Sequence, residues 1–218
     1  MAPSRNGRVA IALPTGALLP GALKLLARAR LARLSAPELG RKLLVERPGL
    51  RVVLVRPTDV PAYVDHGAVD LGIVGKDILW ESDGAHYELV DLGFGACQLV
   101  LAVPDASKLA GPDTWPPLLR VATKYPRTTT SWFDARGQSV EVVGLHGSVE
   151  LAPQVGLVDA IVDLTATGQT LRENRLRVAS VLGESTARLI ANQASLKTRT
   201  DAVQALVARL REAVADAG

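Results

Sequence analysis

An acidic residue followed by a small, hydroxyl-rich segment is the part of the sequence best suited to chemistry. Residues 160–164 form a short apolar run that contains Asp163, which predicts a buried strand with a carboxylate near its carboxyl end. Residues 165–170 then read Thr-Ala-Thr-Gly-Gln-Thr. Thr170 and Glu173 have the spacing of a capping box, so a helix is predicted to begin near Thr170. Strand, small-residue loop and helix start together form an arrangement that binds phosphate, because loop amides and the helix dipole both favour an anion.

The acid beside this loop suggests a sugar phosphate as the ligand. Asp163 can accept hydrogen bonds from ribose hydroxyls while residues 165–170 hold a 5-phosphate, and Gly168 lets the backbone approach closely. A plain strand-turn-helix connection with a capping threonine accounts for the same pattern without any ligand. The residues alone leave both interpretations open.

The sequence of residues 147–171 resembles the signature of the ATP phosphoribosyltransferase family. Gly-Ser-Val-Glu-Leu-Ala-Pro at residues 147–153 precedes the acidic strand, and Thr-Gly-x-Thr-Leu at residues 167–171 follows it. In that family the loop holds phosphoribosyl pyrophosphate (PRPP), and the resemblance places Glu150 and Asp163 on the ribose side. The loop residues that the resemblance implies as PRPP ligands are Thr165, Ala166, Thr167, Gly168, Gln169 and Thr170.

Two adjacent cations, Arg41 and Lys42, are predicted from the residues alone to lie on a solvated surface. The family carries an Arg-Lys pair at this point, near the leaving pyrophosphate, so the resemblance implies that both are ligands. Together with Glu150 and Asp163 they form the predicted catalytic set. His146 is predicted to be a bystander, because glycosyl transfer to a ring nitrogen does not obviously need a histidine.

Three segments are expected to meet ATP. Gly16 lies in the turn after the first strand, residues 70–77 form a strand that runs into a Gly-Lys-Asp turn, and Lys124 follows a further strand. Ligands of open α/β sheets sit at the carboxyl ends of strands. Without a ligand, Lys124 is an ordinary exposed lysine and Asp70 a surface turn residue. The resemblance extends to these segments and implies the ATP contacts Thr15, Gly16, Asp70, Leu71, Gly72 and Lys124.

The turn at residues 15–17 departs from the family. It reads Thr-Gly-Ala, whereas the family has Lys-Gly-Arg there, with charges that face the nucleotide and its phosphates. The two missing charges keep a relative with impaired chemistry as an alternative to a working transferase. A solute- or nucleotide-binding module on the same fold is a further alternative, because residues 56–77 also resemble periplasmic solute-binding proteins.

Strands alternate with helices along the chain, which predicts an α/β protein. The 218 residues are 48% apolar, enough for one large domain or two small ones. The resemblance implies a two-lobed, periplasmic-binding-protein-like (type II) fold with a cleft between the lobes. The predicted lobes are residues 1–92 with 178–218, and residues 93–177 carrying the PRPP loop.

Composition disfavours several other classes of protein. The net charge of +3 is spread along the chain and aromatic residues make up only 4%, so nucleic-acid binding is not expected. No apolar run reaches the roughly 18 residues of a membrane span. Pro14, Gly16 and Pro20 interrupt the first apolar stretch, which favours strand, turn and helix over a signal peptide. Cys97 is the only cysteine, so no intrachain disulfide is possible and a cytoplasmic location is expected.

The resemblance also implies a reaction and a partner. The reaction condenses ATP and PRPP to N1-(5-phosphoribosyl)-ATP and pyrophosphate, the first step of histidine biosynthesis. Mg²⁺ is the implied cofactor, held mainly by substrate oxygens with no metal site on the protein. The sequence ends one helix after the transferase pattern, so it resembles the short-form catalytic subunit. That form works with a regulatory subunit resembling histidyl-tRNA synthetase, usually as a hetero-octamer.

Overall fold

The computed structural model describes residues 8–109, 111 and 114–216, which fold as two compact units. Unit 1 runs to Gly95 and resumes at Thr186, and unit 2 comprises Ala96–Ser185. The boundaries expected from the sequence were 92/93 and 177/178. The second one differs because the strand Leu176–Ser185 pairs along its length with the strand that begins at Cys97, so the whole strand belongs to unit 2.

The described residues form eleven strands and eight α-helices, numbered in chain order. The strands are β1 (Val9–Pro14), β2 (Leu44–Arg47), β3 (Leu50–Val55), β4 (Leu71–Gly75), β5 (Tyr87–Asp91), β6 (Cys97–Pro104), β7 (Leu118–Thr123), β8 (Ser139–Gly144), β9 (Ala160–Thr165), β10 (Leu176–Ser185) and β11 (Ala187–Ala191). The helices are α1 (Leu19–Arg28), α2 (Ala36–Leu39), α3 (Val60–Asp65), α4 (Lys76–Glu81), α5 (Pro126–Asp134), α6 (Gln169–Glu173), α7 (Gln193–Thr198) and α8 (Thr200–Ala215).

Unit 1 is built on a six-stranded sheet with the order β2-β3-β1-β4-β11-β5. β1, β3 and β4 are parallel and form its centre, whereas β2 and β11 run antiparallel to their inner neighbours. Unit 2 has a five-stranded sheet with the order β10-β6-β9-β7-β8, in which β7, β8 and β9 are parallel. Each unit therefore has an edge where the carboxyl ends of three parallel strands meet, which is where ligands bind in such sheets.

Alternation along β1 explains how both faces of the unit 1 sheet are covered. Val9, Ile11 and Leu13 belong to the cluster packed by α1 and α8, whereas Ala10 and Ala12 belong to the cluster packed by α3. All five are at most 3% exposed. A parallel strand buried on both faces reads as a continuous apolar run, and this is why β1 could be predicted from the sequence.

The two faces of the unit 2 sheet are covered differently. On one side, Phe133 of α5 is fully buried, with its ring centroid 5.0 Å from that of Trp132 and 5.5 Å from that of Trp115. On the other side, Val149 and Leu171 pack in one cluster with residues of β6, β7 and β9. Leu171 is 5% exposed and anchors the short helix α6 to the sheet. This contact holds the segment between β9 and α6 at a fixed place in the unit.

Helix α1 is shorter than its pattern indicates. The apolar spacing predicts a helix over residues 18–34, but α1 ends at Arg28 and Arg30 adopts a left-handed conformation with φ +54°. Leu31 and Leu34 still pack against the core from irregular chain, which explains why their spacing resembled that of a helix. β2, β5 and α7 were not predicted, because they are short and largely polar.

No helix within the described residues is both long and apolar enough to span a bilayer. Residues 1–7, 217 and 218 of the predicted first lobe lie outside the described part of the chain.

Candidate functional site

Asp163 lies near the carboxyl end of β9, beside the parallel strand β7. Its side chain is 17% exposed. The Oδ1 atom accepts a hydrogen bond from the amide of Leu164 at 2.8 Å, and Oδ2 lies 3.3 Å from the Nζ of Lys124, the residue that follows β7. The cation predicted to meet ATP therefore contacts the acid predicted to meet ribose, and it balances the charge of that acid.

The loop after β9 is tied together by its own hydroxyls. The amide of Gly168 donates to the Oγ1 of Thr165 at 2.9 Å, and the amide of Gln169 donates to the Oγ1 of Thr167 at 3.4 Å. A hydroxyl that accepts an amide hydrogen still carries its own hydrogen, so both threonines can donate to a ligand. Residues 165–170 have no charged side chain, and their amide and hydroxyl hydrogens are their means of holding an anion.

Helix α6 begins at Gln169, next to the predicted start, but the predicted capping box is wrong. Thr170 lies inside the helix, and Glu173 instead accepts a hydrogen bond from the Nε2 of Gln169 at 2.8 Å. The helix is preceded by Gly168, whose φ of +71° is in the left-handed region and which has no side chain to act as an N-cap. That conformation is unfavourable for residues with a Cβ, so glycine is required at this point of the loop.

Glu150 lies in one turn of 3₁₀-helix, Val149–Leu151, after the strand β8. Ser148, just before the turn, has a left-handed conformation with φ +48° and ψ +41°. Val149 is completely buried and fixes the turn on the sheet. The carboxylate of Glu150 is half-buried and, among the described residues, has no hydrogen-bond or ion-pair partner. It is thus available to a ligand without breaking an existing contact.

The carboxyl end of the parallel strands in unit 2 gathers several of the predicted residues. Asp163 near the end of β9, the loop 165–170 and Lys124 after β7 lie at one edge, and Glu150 follows the neighbouring strand β8. All the residues predicted for PRPP therefore belong to one unit. Their role as ligands stays a prediction.

Unit 1 presents the second set of predicted residues at the corresponding edge of its own sheet. The turn after β1 places Thr15 in a half-buried position, where its amide donates to the carbonyl of Val55 at 2.8 Å. Gly16 has φ +83°, and both Gly16 and Ala17 are exposed. The predicted ATP contacts Thr15 and Gly16 thus lie at the carboxyl end of the central strand.

Three exposed cations lie near the same edge of unit 1. Arg41 and Lys42 precede β2, which pairs with the end of β3, and the amide of Leu54 donates to the carbonyl of Leu43 at 2.8 Å. Arg56 directly follows β3 and was missed by the sequence reasoning, although a cation between a strand and Pro57 was a usable signal. Within the described part of the chain these three side chains have no ion-pair partner. The group is suited to a polyphosphate.

The predicted ATP contacts at Asp70, Leu71 and Gly72 are contradicted by burial. Asp70 is 0% exposed and lies before β4, at the amino end of the strand. Its carboxylate accepts hydrogen bonds from the amide of Ala10 at 2.8 Å, the hydroxyl of Ser195 at 2.7 Å and the guanidinium of Arg199 at 2.6 Å. It is neither a nucleotide ligand nor a surface turn residue, but an interior ion pair that joins β1 to the end of α7.

Leu71 and Gly72 are buried inside the same sheet. Leu71 is 0% exposed, and a Cβ on Gly72 would lie 2.7 Å from the Cγ1 of Val60 in α3. The carboxyl end of β4 is instead at Gly75, which is followed by Lys76. The Nζ of Lys76 contacts the carboxylate of Glu88 at 2.5 Å. The sequence pattern located the strand correctly and assigned the ligand to its wrong end.

The described residues contain no group of three or more histidine, cysteine or acidic side chains arranged to hold a metal ion.

Comparison with known proteins gives consistent results. A family model described as ATP phosphoribosyltransferase matches residues 56–212. The ATP phosphoribosyltransferase of Rubrobacter xylanophilus is 49% identical over 200 residues, which cover 91% of this chain and 93% of that protein. The protein of the same description from Symbiobacterium thermophilum is 48% identical over 214 residues, covering 94% of this chain and 95% of that protein.

Solved structures give the same picture for the fold. A chain of the "ATP phosphoribosyl transferase (HisG:HisZ) complex from Thermotoga maritima" aligns with a TM-score of 0.80 and 30% identity, covering 95% of this chain and 99% of that chain. The periplasmic aliphatic sulphonate binding protein SsuA of Escherichia coli aligns with a TM-score of 0.62 at 15% identity, over 96% of this chain and 69% of that chain, a likeness of fold alone. The predicted α/β, type II periplasmic-binding-protein-like fold is confirmed, and the cleft stays a prediction.

Proposed function

The chain belongs to the ATP phosphoribosyltransferase family, and we propose that PRPP binds at the carboxyl end of β9. This family makes N1-(5-phosphoribosyl)-ATP and pyrophosphate from ATP and PRPP, in the first step of histidine biosynthesis. The observation that carries this proposal is the junction of Asp163 with the loop Thr165–Gly168, where a carboxylate adjoins two threonine hydroxyls that accept backbone amides and keep their own hydrogens to donate. Sugar hydroxyls need acceptors and a phosphate needs donors, and this junction offers both.

In this proposal the 5-phosphate receives hydrogen bonds from the loop. Thr165 and Thr167 donate their hydroxyl hydrogens, since their oxygens already accept the amides of Gly168 and Gln169. Further donors come from the remaining groups of residues 165–170. Asp163 and Glu150 then accept hydrogen bonds from the ribose hydroxyls. This arrangement holds the sugar by both ends and fixes the direction in which C1 is presented.

The chemistry asked of the protein is mainly positioning and charge stabilisation. N1 of adenine attacks C1 of the ribose as pyrophosphate leaves, and this ring nitrogen is neutral with a free lone pair. No strong base is needed to activate it, so holding the reacting atoms in line supplies most of the rate enhancement. Lys124 pairs with Asp163 at 3.3 Å and so lies beside the proposed ribose ligands. From there its positive charge can stabilise the negative charge that develops on the leaving pyrophosphate.

The cations of unit 1 are proposed to meet phosphate oxygens. Arg41 and Lys42 are exposed and unpaired among the described residues, which suits ligands of a pyrophosphate or a triphosphate. Arg56 extends this group. Thr15 and Gly16 are proposed for ATP, with backbone groups replacing the lysine and arginine of the family pattern.

Mg²⁺ is proposed as the cofactor on the basis of substrate chemistry. This ion prefers oxygen ligands, keeps several waters, and binds through substrate phosphates with one or two carboxylates. Asp163 and Glu150 are carboxylates of the right kind beside the proposed ribose. When bound, the ion shields the charge of the leaving pyrophosphate.

A regulatory partner and a cytoplasmic location complete the proposal. The solved Thermotoga maritima complex pairs an ATP phosphoribosyltransferase chain with a second subunit, and its transferase chain is 30% identical to this one. We therefore propose that this chain works with a regulatory subunit resembling histidyl-tRNA synthetase, as a hetero-octamer, and that histidine acts through that partner. The substrates are intracellular metabolites, which supports a cytoplasmic location.

The direct test is product formation from ATP, PRPP and Mg²⁺, followed by ultraviolet absorbance, with and without a candidate regulatory subunit. Appearance of phosphoribosyl-ATP supports the proposal, and absence of product under both conditions contradicts it. The variant Thr15→Lys/Ala17→Arg belongs in the same assay, because it restores the two charges of the family pattern. If this variant forms product and the natural chain does not, the natural chain is a relative with impaired chemistry.

A further inference from the structure

Arg172 fastens the loop 165–168 from the side of α6. Its Nη1 donates to the carbonyl oxygen of Thr167 at 3.0 Å, and its backbone amide donates to the carbonyl of Gly168 at 3.0 Å. A Cβ on Gly168 would lie 2.8 Å from the same Nη1, so the guanidinium lies directly against the backbone of the loop. The sequence reasoning gave this arginine no role.

The Thr167–Gly168 peptide is consequently held from two sides. Its carbonyl oxygen accepts from Arg172 at 3.0 Å, and its N–H, on the amide of Gly168, donates to the Oγ1 of Thr165 at 2.9 Å. In a trans peptide the carbonyl and the N–H point in opposite directions. Fixing the oxygen on the Arg172 side therefore fixes the N–H on the Thr165 side. Rotation of this peptide would break its bond to Thr165 and turn a carbonyl oxygen, which repels anions, toward the Thr165 hydroxyl.

The loop has three other restraints within the described part of the chain. Leu171 is buried against the sheet, the amide of Gly168 bonds to Thr165 at 2.9 Å, and the contact from the amide of Gln169 to the hydroxyl of Thr167 is long at 3.4 Å. The bond from Arg172 adds a charged donor and acts on the Thr167 carbonyl itself, at the centre of the loop.

We propose that Arg172 is a positioning residue for PRPP: it holds the Thr167–Gly168 peptide so that the loop presents hydrogen-bond donors to the 5-phosphate. The inference rests on the proposed function, since it needs the phosphate in this loop. Arg172 acts through the peptide and does not itself touch the substrate. Its loss should weaken PRPP use and leave ATP use nearly unaffected.

The test compares Arg172→Met with Arg136→Met. Arg136 also donates to a backbone carbonyl, that of Trp132 at 3.0 Å, but it lies just after α5, away from the loop 165–170. We expect Arg172→Met to raise the KM for PRPP about tenfold and to change the KM for ATP by less than about twofold. Arg136→Met should leave both constants within about twofold of the parent chain. Arg172→Lys keeps the charge with one shorter donor and should restore part of the loss, to about a threefold effect.

Binding of PRPP gives a second readout that does not depend on turnover. PRPP raises the unfolding temperature of a protein that binds it, and the concentration needed should be about tenfold higher in Arg172→Met. A KM for PRPP within about twofold of the parent in Arg172→Met, or equal losses for ATP and PRPP, overturns the positioning role. If Arg172→Met is insoluble, Arg172→Ala, which exposes less apolar surface and also removes the donor, carries the test, and an unchanged KM for PRPP in that variant overturns the role as well.

The failure of this inference is distinguishable from the failure of the proposed function. If the parent chain makes phosphoribosyl-ATP and Asp163→Ala impairs PRPP use, the proposed site stands whatever Arg172→Met shows. If neither holds, the proposed function itself is contradicted.

Discussion

At Asp163 a single carboxylate has two partners, one at each oxygen. In the described structure it pairs with Lys124 at 3.3 Å and accepts the amide of Leu164 at 2.8 Å, while it remains 17% exposed. A ribose hydroxyl can donate to this carboxylate without the loss of either contact, since a carboxylate has about four lone-pair positions. Lys124 places a positive charge beside this carboxylate, and the remaining lone pairs of the carboxylate are acceptors for sugar hydroxyls.

Removal of this carboxylate should impair PRPP use selectively. Asp163→Ala is expected to raise the KM for PRPP by about tenfold to a hundredfold, because hydrogen bonds to a charged group are worth about 1.5–3 kcal/mol. Steady-state kinetics with PRPP varied at saturating ATP measure the effect. Asp134→Ala, which removes an exposed acid at the end of α5, is the matched control. Unchanged PRPP kinetics in Asp163→Ala would show that the site assignment is wrong.

At the scale of the element, the sequence predicted strands better than the ends of strands. The apolar runs of β1 and β9 were located because strands buried on both faces leave a continuous signal. The role of Asp70 could not be predicted, because its partners Ser195 and Arg199 are more than 120 residues away in the chain. The predicted capping box was wrong because α6 begins at Gln169, directly after the left-handed Gly168, so Thr170 lies inside the helix.

The candidate site also combines features that are local in the sequence with features that depend on the tertiary fold. The loop 165–170 and Asp163 are local in sequence, so their proximity followed from one strand and one turn. The Lys124–Asp163 contact and the group of Arg41, Lys42 and Arg56 depend on strand order and register, which no local pattern specifies. The sequence therefore predicted the loop and named Arg41, Lys42 and Lys124 one by one, but it did not indicate Arg56 or the contact between Lys124 and Asp163.

Gly72 offers a test of the corrected assignment. A Cβ at this position would lie 2.7 Å from the Cγ1 of Val60 and 2.8 Å from the Cγ2 of Val64, between β4 and α3. We expect Gly72→Ala to lower the free energy of unfolding by about 1–3 kcal/mol through overpacking, with the KM for ATP unchanged. Chemical denaturation and ATP kinetics measure the two quantities.

Gly144→Ala is the control for this substitution. Its Cβ would meet nothing within 4 Å and its φ is not positive, so stability should be unchanged or slightly raised. A raised KM for ATP in Gly72→Ala, at unchanged stability, would restore the role of Gly72 as a nucleotide contact.

The junction between β7 and β9 depends on a pH-sensitive pair. Hydrogen bonds from the guanidinium of Arg120 lower the pKa of the Asp159 carboxyl below its usual 3.8, against an opposing effect of partial burial. The carboxylate accepts from the amide, Nε and Nη2 of Arg120 at 3.0, 3.2 and 2.8 Å, while the amide of Asp159 donates to the carbonyl of Arg120 at 3.0 Å. These contacts set the register that brings Asp163 beside Lys124.

Because the pKa of Asp159 is lower in the folded state, its contribution to stability is complete above the unfolded pKa, about 3.8, and is lost as pH falls through the folded value. Asp159→Asn should therefore be less stable than the parent chain at pH 6, and the difference should shrink as pH is lowered below about 3.8. Unfolding by denaturant at a series of pH values measures this. A difference that is constant with pH, or that grows in acid, would contradict the proposed origin.

At the scale of the whole molecule, two units each place candidate ligands at the carboxyl ends of parallel strands. Unit 2 supplies acids and uncharged donors, which suit a sugar phosphate, whereas unit 1 supplies unpaired cations and an exposed glycine turn, which suit phosphate oxygens. The division of charge matches the two substrates of the family. Unit 1 is discontinuous in sequence, so the strand β11 returns to a sheet that the first 95 residues have begun.

The last prediction concerns the assembly of this chain with a regulatory partner. A regulatory subunit resembling histidyl-tRNA synthetase, mixed with this chain, is expected to form a stable complex of hetero-octameric mass by size-exclusion chromatography with light scattering. If the partner binds only the folded state of this chain, the unfolding temperature should rise with the logarithm of the partner concentration once that exceeds the dissociation constant.

Histidine should inhibit the complex and leave the isolated chain unaffected. By linkage, the substrates must weaken the binding of histidine by the same factor as histidine weakens theirs, so PRPP titrations with and without histidine provide an internal check. Separate elution of the two proteins, or equal inhibition of the isolated chain by histidine, would contradict regulation through this partner.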